Sequence, residues 1–188
     1  MKKLILILLI IITCSLALDA QDSYIKNRWN IKAGFANNYK LDPPSHSLRF
    51  REGNWRVEAN YGFLKFLETG IYLGYRRLDT YQKVDGVYNA KNVGVPFFGV
   101  VLNVHPLTFL IKRPDFRFDL YLLARYGGYY LATPENYLPP KGFYFQYHYG
   151  VGLAYYLTKH VGIFSEYSYV NLWRPNWGMR FGVSLKFH

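Results

Sequence analysis

The chain has 188 residues, 20% of them aromatic, and carries 23 Lys and Arg against 12 Asp and Glu for a net charge of +11. That length suits one domain. Its single cysteine, Cys14, stands near the start, so a disulfide scaffold, a thiol nucleophile and a cysteine metal site are excluded from the body of the protein.

The first residues read as a targeting segment. Lys2 and Lys3 give a positive start, residues 4–12 are unbroken Leu and Ile, and Leu18-Asp19-Ala20 ends on a small residue. This pattern predicts a cleavable signal peptide over 1–20 and a mature domain over 21–188. Thr13, Cys14 and Ser15 interrupt the apolar run, which falls short of the roughly 20 residues of a membrane-spanning helix. Ile11-Ile12-Thr13-Cys14 is a poor lipidation signal. Losing Lys2, Lys3 and Asp19 leaves a mature net charge of +10 and no cysteine.

Beyond Gln21 the chain alternates with period two and shows no helical spacing of any length. Strand one sets Trp29, Ile31, Ala33 and Phe35 against Asn30, Lys32 and Gly34. Strand two sets Trp55, Val57, Ala59 and Tyr61 against Arg56, Glu58 and Asn60. Strand three, over 69–78, opposes Ile71, Leu73 and Tyr75 to Tyr72, Gly74 and Arg76. Strand four, over 93–104, is apolar on both faces, which leaves its register open, and Pro96 marks an irregularity in it. Strand five opposes Phe118, Leu120, Leu122 and Tyr126 to Asp119, Tyr121 and Arg125. Strand six opposes Phe145, Tyr147, Tyr149 and Val151 to Gln146, His148 and Gly150. Strand seven opposes Ile163, Ser165 and Tyr167 to Phe164, Glu166 and Ser168. Strand eight opposes Trp177, Met179, Phe181, Val183, Leu185 and Phe187 to Arg180, Gly182, Ser184 and Lys186.

Long connections at 38–54, 79–92 and 132–142 alternate with short ones at 62–68 and 157–160. The link 105–115 is long for a turn and 172–176 is short for a loop. This rhythm predicts an all-β fold, a transmembrane up-and-down antiparallel β-barrel of about eight strands with both termini on the side of the short turns. A soluble ligand-binding barrel alternates too, with its apolar face inward. Strands of roughly 9 to 12 residues matching a tilted bilayer crossing, small and charged residues sharing one face, and aromatics at strand ends favour the membrane form.

The last strand carries a resemblance. Met179-Arg180-Phe181-Gly182-Val183-Ser184-Leu185-Lys186-Phe187 looks like the C-terminal signal by which the barrel assembly machinery recognises outer-membrane proteins, with Phe181, Val183, Leu185 and Phe187 as its apolar positions; one residue, His188, follows. With the leader and the strand count, nearly the whole mature chain resembles the small OmpX and OmpA-transmembrane type of outer-membrane barrel. The resemblance implies a Gram-negative outer-membrane location and an insertion route, not an activity.

On the predicted inner face, Lys32, Glu58, Arg125, His148, Glu166 and Arg180 fall toward the middle of their strands, forming a candidate charge cluster. A narrow eight-stranded interior requires each to find a partner. The expected role is a structural plug, with a gated path for ions or a small solute as the alternative. A third reading, a lipid A-modifying enzyme, would draw on His148, Glu166 and Ser168. The resemblance to PagL-type deacylases is architectural only: Tyr stands where a His is wanted beside Ser168, and the alternation turns His148 and Ser168 away from lipid.

No catalytic role is therefore expected, and no cofactor. His46, His105, His160 and His188 fall in connections or the tail without metal-site spacing, so no metal site is expected. Trp29, Trp55, Trp173 and Trp177 are expected to anchor the barrel at the membrane interfaces. Pro43-Pro44 and Pro139-Pro140 stiffen two long loops. The expected partners are outer-membrane lipid and lipopolysaccharide, with nucleic acid excluded by the lack of any motif and the loop partner left open.

Overall fold

The computed structural model describes residues 25–38, 54–84, 87–111, 116–171 and 176–187. The predicted signal peptide, most of the loop 38–54 with Pro43-Pro44 and His46, Trp173 and His188 lie outside them. Eight strands follow in chain order: β1 Trp29–Asn38, β2 Trp55–Leu64, β3 Leu67–Val84, β4 Val87–Val104, β5 Phe118–Leu131, β6 Gly142–Tyr156, β7 Val161–Asn171 and β8 Asn176–Phe187. Each pairs antiparallel with its neighbour in sequence, and β1 pairs with β8 from Trp29↔Phe187 to Asn38↔Gly178, closing the barrel. Closure leaves no open sheet edge, which lipid would not tolerate.

The polarity is the reverse of a water-soluble protein. Along β2, Arg56, Glu58 and Asn60 are buried, and along β8 so are Arg180, Ser184 and Lys186. Outward, Phe35, Ile71, Phe98, Phe145 and Ile163 are each more than half exposed. An apolar belt of this extent around a polar interior is the surface of a chain solvated by lipid. Trp29 meets Tyr61 at the turn end of the barrel, with ring centroids 5.3 Å apart. Trp177 stacks on Tyr167 at 4.9 Å toward the loop end. Trp55 is 38% exposed at the start of β2, so three tryptophans flank the apolar belt from both ends.

Two expectations are corrected. The segment 79–92 is not a long loop: β3 and β4 continue in register from Leu67↔Val104 to Val84↔Val87, so a hairpin of two 18-residue strands projects past the barrel. Pro96 does not disturb it. It pairs in register with Tyr75, and β4 pairs with β5 only from Phe97 onward, so the missing N–H of Pro96 is not required by a second neighbour. The register of β4 is settled as well, with Val95, Phe97, Val101 and Asn103 buried and Phe98, Val100 and Leu102 exposed. Of the link 105–115, the described part holds a 3-10 turn at Pro106–Phe109.

Glycines on the inner wall make room for bulky neighbours. A Cβ on Gly152 would fall 2.2 Å from the Tyr121 ring, so only glycine lets that ring lie across the lumen.

Candidate functional site, a stratified lumen

The interior is divided into layers of side chains, and the middle one is a network of buried ion pairs. Strand tilt brings Arg56 of β2, Arg125 of β5 and Arg180 of β8 around Glu58 of β2 and Glu166 of β7. Arg125 donates from Nε to Glu58 Oε1 at 2.7 Å and from Nη2 to both oxygens of Glu166 at 2.8 Å. Arg180 Nη1 reaches Glu58 Oε1 at 2.8 Å and Glu166 Oε2 at 3.1 Å. Its Nη2 donates to the Arg56 carbonyl at 2.9 Å. Arg56 Nε lies 2.9 Å from Glu58 Oε1, and Nη2 3.3 Å from Glu166 Oε2. Tyr121 donates its hydroxyl to Glu166 Oε1 at 3.0 Å. Charge-assisted contacts this short, shared among three guanidinium groups and two carboxylates, cross-link four strands through the centre.

Of the six sequence-predicted cluster residues, Glu58, Arg125, Glu166 and Arg180 are in direct mutual contact. Lys32 is buried but stands apart, its Nζ 3.6 Å over the Tyr121 ring. His148 lies on the loop side, its Nδ1 3.5 Å from Arg56 Nη1. Among the described residues no hydrogen bond joins His148 to Ser168 or Glu166, so the three residue types of a hydrolytic triad are present without its geometry.

A second layer, at the turn end, contains residues the sequence reading missed. The sequence places His105 in a connection. It is instead fully buried just past β4, with Nδ1 2.9 Å from Asp119 Oδ1 and Nε2 3.3 Å from Glu68 Oε2. Burial alone would lower its pKa, but the two carboxylates outweigh that and raise it to about 9. The ring is then a cation with both nitrogens committed to carboxylates. Asn30 Nδ2 donates to Glu68 Oε1 at 3.2 Å, Ser184 Oγ donates to Asn30 Oδ1 at 2.6 Å, and Lys186 Nζ lies 4.0 Å from Asp119 Oδ2 and 3.8 Å over the Tyr156 ring. Among the described residues, no group of three or more His, Cys, Asp or Glu is placed to hold a metal ion.

The third layer lies toward the loops. Arg76 donates to Gln146 Oε1, and its guanidinium lies 4.3 Å over the Phe97 ring and 5.4 Å over that of Tyr129. Gln146 in turn donates to Tyr72 at 3.3 Å. Beyond it Thr133 Oγ1 donates to the Pro139 carbonyl at 3.0 Å, tying down the loop that carries Pro139-Pro140.

On β8 the residues of the expected terminal signal, Phe181, Val183, Leu185 and Phe187, lie on the outward face and pair with Phe35, Ala33, Ile31 and Trp29 along the seam that closes the barrel.

No family model matches the chain, and no curated protein does. Solved structures do. The N-terminal β-barrel domain of Pseudomonas aeruginosa OprF is 14% identical over 86% of this chain and 98% of its own, with a TM-score of 0.58. OprG, an outer membrane protein of the same organism, is 12% identical over 89% and 100%, with a TM-score of 0.56. Ail, the attachment invasion locus protein of Yersinia pestis, is 15% identical over 87% and 100%, with a TM-score of 0.51. At such identity the likeness is one of fold: the chain has the eight-stranded barrel architecture that these proteins share.

Proposed function

We propose that this chain is a non-catalytic outer-membrane barrel that seals its own lumen and acts through the surface its loops present, as a structural or surface-interaction protein. The observation that carries the reading is the central layer. Three arginines and two glutamates meet at distances of 2.7 to 3.3 Å across a narrow interior, so a permeating solute would have to part charge pairs that have no water to replace them. The leader pattern, the lipid-facing belt and the shared architecture support an outer-membrane location.

The exposed basic residues Arg77, Lys91 and Lys141 lie toward the loop end and suit the phosphates of lipopolysaccharide. The outward residues of β8 are those the assembly machinery would read during insertion. Planar-bilayer recording of the purified, refolded protein tests the sealed lumen. Its expected outcome is an absence of conductance steps, whereas sustained openings that disappear on mutating Arg125 or Glu166 would replace the reading with a small-solute channel. Shortening of lipid A acyl chains on expression would replace it with an enzyme.

A further inference from the structure

The buried charges do not balance. Six lysines and arginines are buried in the described lumen, Lys32, Arg56, Arg76, Arg125, Arg180 and Lys186, against four carboxylates, Glu58, Glu68, Asp119 and Glu166. The surplus runs along the lumen: Lys32 Nζ lies over the Tyr121 ring, and three arginines share two glutamates in the central layer. At the turn end His105 and Lys186 face Glu68 and Asp119. Both of the other acids, Glu58 and Glu166, are consumed by the central layer, and Arg76 above it has no carboxylate partner among the described residues. An uncompensated cation taken out of water is costly, so a matching anion would be strongly favoured there.

Just above the central layer, toward the loops, lies a small pocket that opens to solvent, lined by Arg56, Arg76, Arg180, His148, Ser168 and Phe97 among others, with no acidic residue among the described ones that line it. Its polar lining is oriented for an acceptor. Arg56 is always a donor, so His148 Nδ1 receives from it and the imidazole proton stands on Nε2. That Nε2–H and Arg76 Nε are buried with no hydrogen-bond partner among the described residues. His148 and Arg76 are 5% and 3% exposed, so bulk water does not serve them instead.

We propose that this vestibule binds a small inorganic anion, of halide to phosphate size, between Arg76, Arg56 and the Nε2–H of His148, with Ser168 Oγ as a further donor. The anion supplies the counter-charge that the described residues of this layer lack. The site stands on lumen geometry alone and is independent of what the loops contact.

The test uses the full mature protein refolded in zwitterionic detergent, with histidine imidazoles labelled for nitrogen NMR. Sodium chloride and sodium phosphate are titrated against sodium gluconate at constant ionic strength, which holds general screening fixed. A saturable shift of the His148 Nε2 resonance is expected, lost in Arg76→Met and retained in His105→Gln, which alters only the turn-end layer. Folding of each variant is read from migration of unboiled against boiled samples. Should Arg76→Met fail to fold, Ser168→Ala removes one donor and no charge, and is expected to weaken binding about ten-fold. No saturable shift with either anion, or unchanged affinity in the folded variant, overturns the site.

Discussion

The two ends of the lumen solve the same problem differently. At the turn end, Glu68 and Asp119 flank His105 and Asp119 reaches Lys186, so both carboxylates face cations, and the short turn and the 3-10 segment hold the strands close. Toward the loops, Arg76 leans on aromatic rings and an amide, with no carboxylate partner among the described residues. Between them the central layer shares two carboxylates among three guanidinium groups. The contrast teaches that an inward position in a barrel fixes that a charge is buried, but not that it is neutralised within the chain. The turn end behaves as a structural closure, and the loop end as a cavity held ready for something else.

The largest effect is expected where the two regimes meet. Glu166 accepts from Arg125, Arg180, Arg56 and Tyr121 at once. Glu166→Ala leaves three buried guanidinium groups around Glu58 alone, and breaking a buried pair of this kind costs about 3–5 kcal/mol. Denaturant unfolding in lipid vesicles, followed by tryptophan fluorescence, measures it. A cost under ~1 kcal/mol would mean that the central layer is no more binding than a solvated surface network, and the distinction between the layers would fall.

A second effect is confined to the turn end and is read by pH. The raised pKa of His105, about 9 against an ordinary 6.5, means that the folded barrel holds this proton more tightly than the unfolded chain does. The stabilisation is complete below pH 6.5 and declines as pH rises through 9, on the order of 3 kcal/mol for a shift of that size. Unfolding free energies measured between pH 6 and pH 10 should fall in the wild type and lose most of that slope in His105→Gln. Equal slopes in the two proteins would show that the imidazolium is not what ties β4 to β5 there.

Much of this architecture was legible in the alternation, because lipid outside and a packed lumen inside impose opposite demands on successive residues. All eight strands are readable that way, and so is the inward set of each except β4, whose two faces are both apolar. The extension of the β3–β4 hairpin is not, because beyond the membrane neither face must be apolar and the period-two signal fades over 79–92 while backbone pairing continues. The site was legible in four of its members, Glu58, Arg125, Glu166 and Arg180, and not in their partners. Arg56 is the second residue of β2, and a sequence reading places it at a strand end, yet it meets Glu166 in the middle of β7. The stagger that closing a sheet imposes sets depth, and it cannot be read from position within one strand. His105 was missed for a related reason. It follows the last residue of β4, where exposure is the usual expectation, and only the convergence of Glu68 from β3 and Asp119 from β5 keeps it inside.

The smallest expected effect is also the sharpest test of the contrast. Arg76 carries a buried charge without a carboxylate, so its desolvation is offset only by Phe97, Tyr129 and Gln146. Replacing such a cation by an apolar side chain of similar length removes an electrostatic cost along with the contacts. Arg76→Met, unfolded in sodium gluconate so that no small anion contributes, is therefore expected to change stability by less than about 1 kcal/mol, in either direction, and to preserve the barrel. The same comparison in sodium phosphate should favour the wild type, because a ligand that binds only the folded state adds stability in proportion to its occupancy. A loss of more than ~2 kcal/mol in gluconate would place Arg76 with the matched charges of the turn end. The surplus at the loop end would then be balanced by the chain itself, and the division of the lumen into a closure and a vestibule would be wrong.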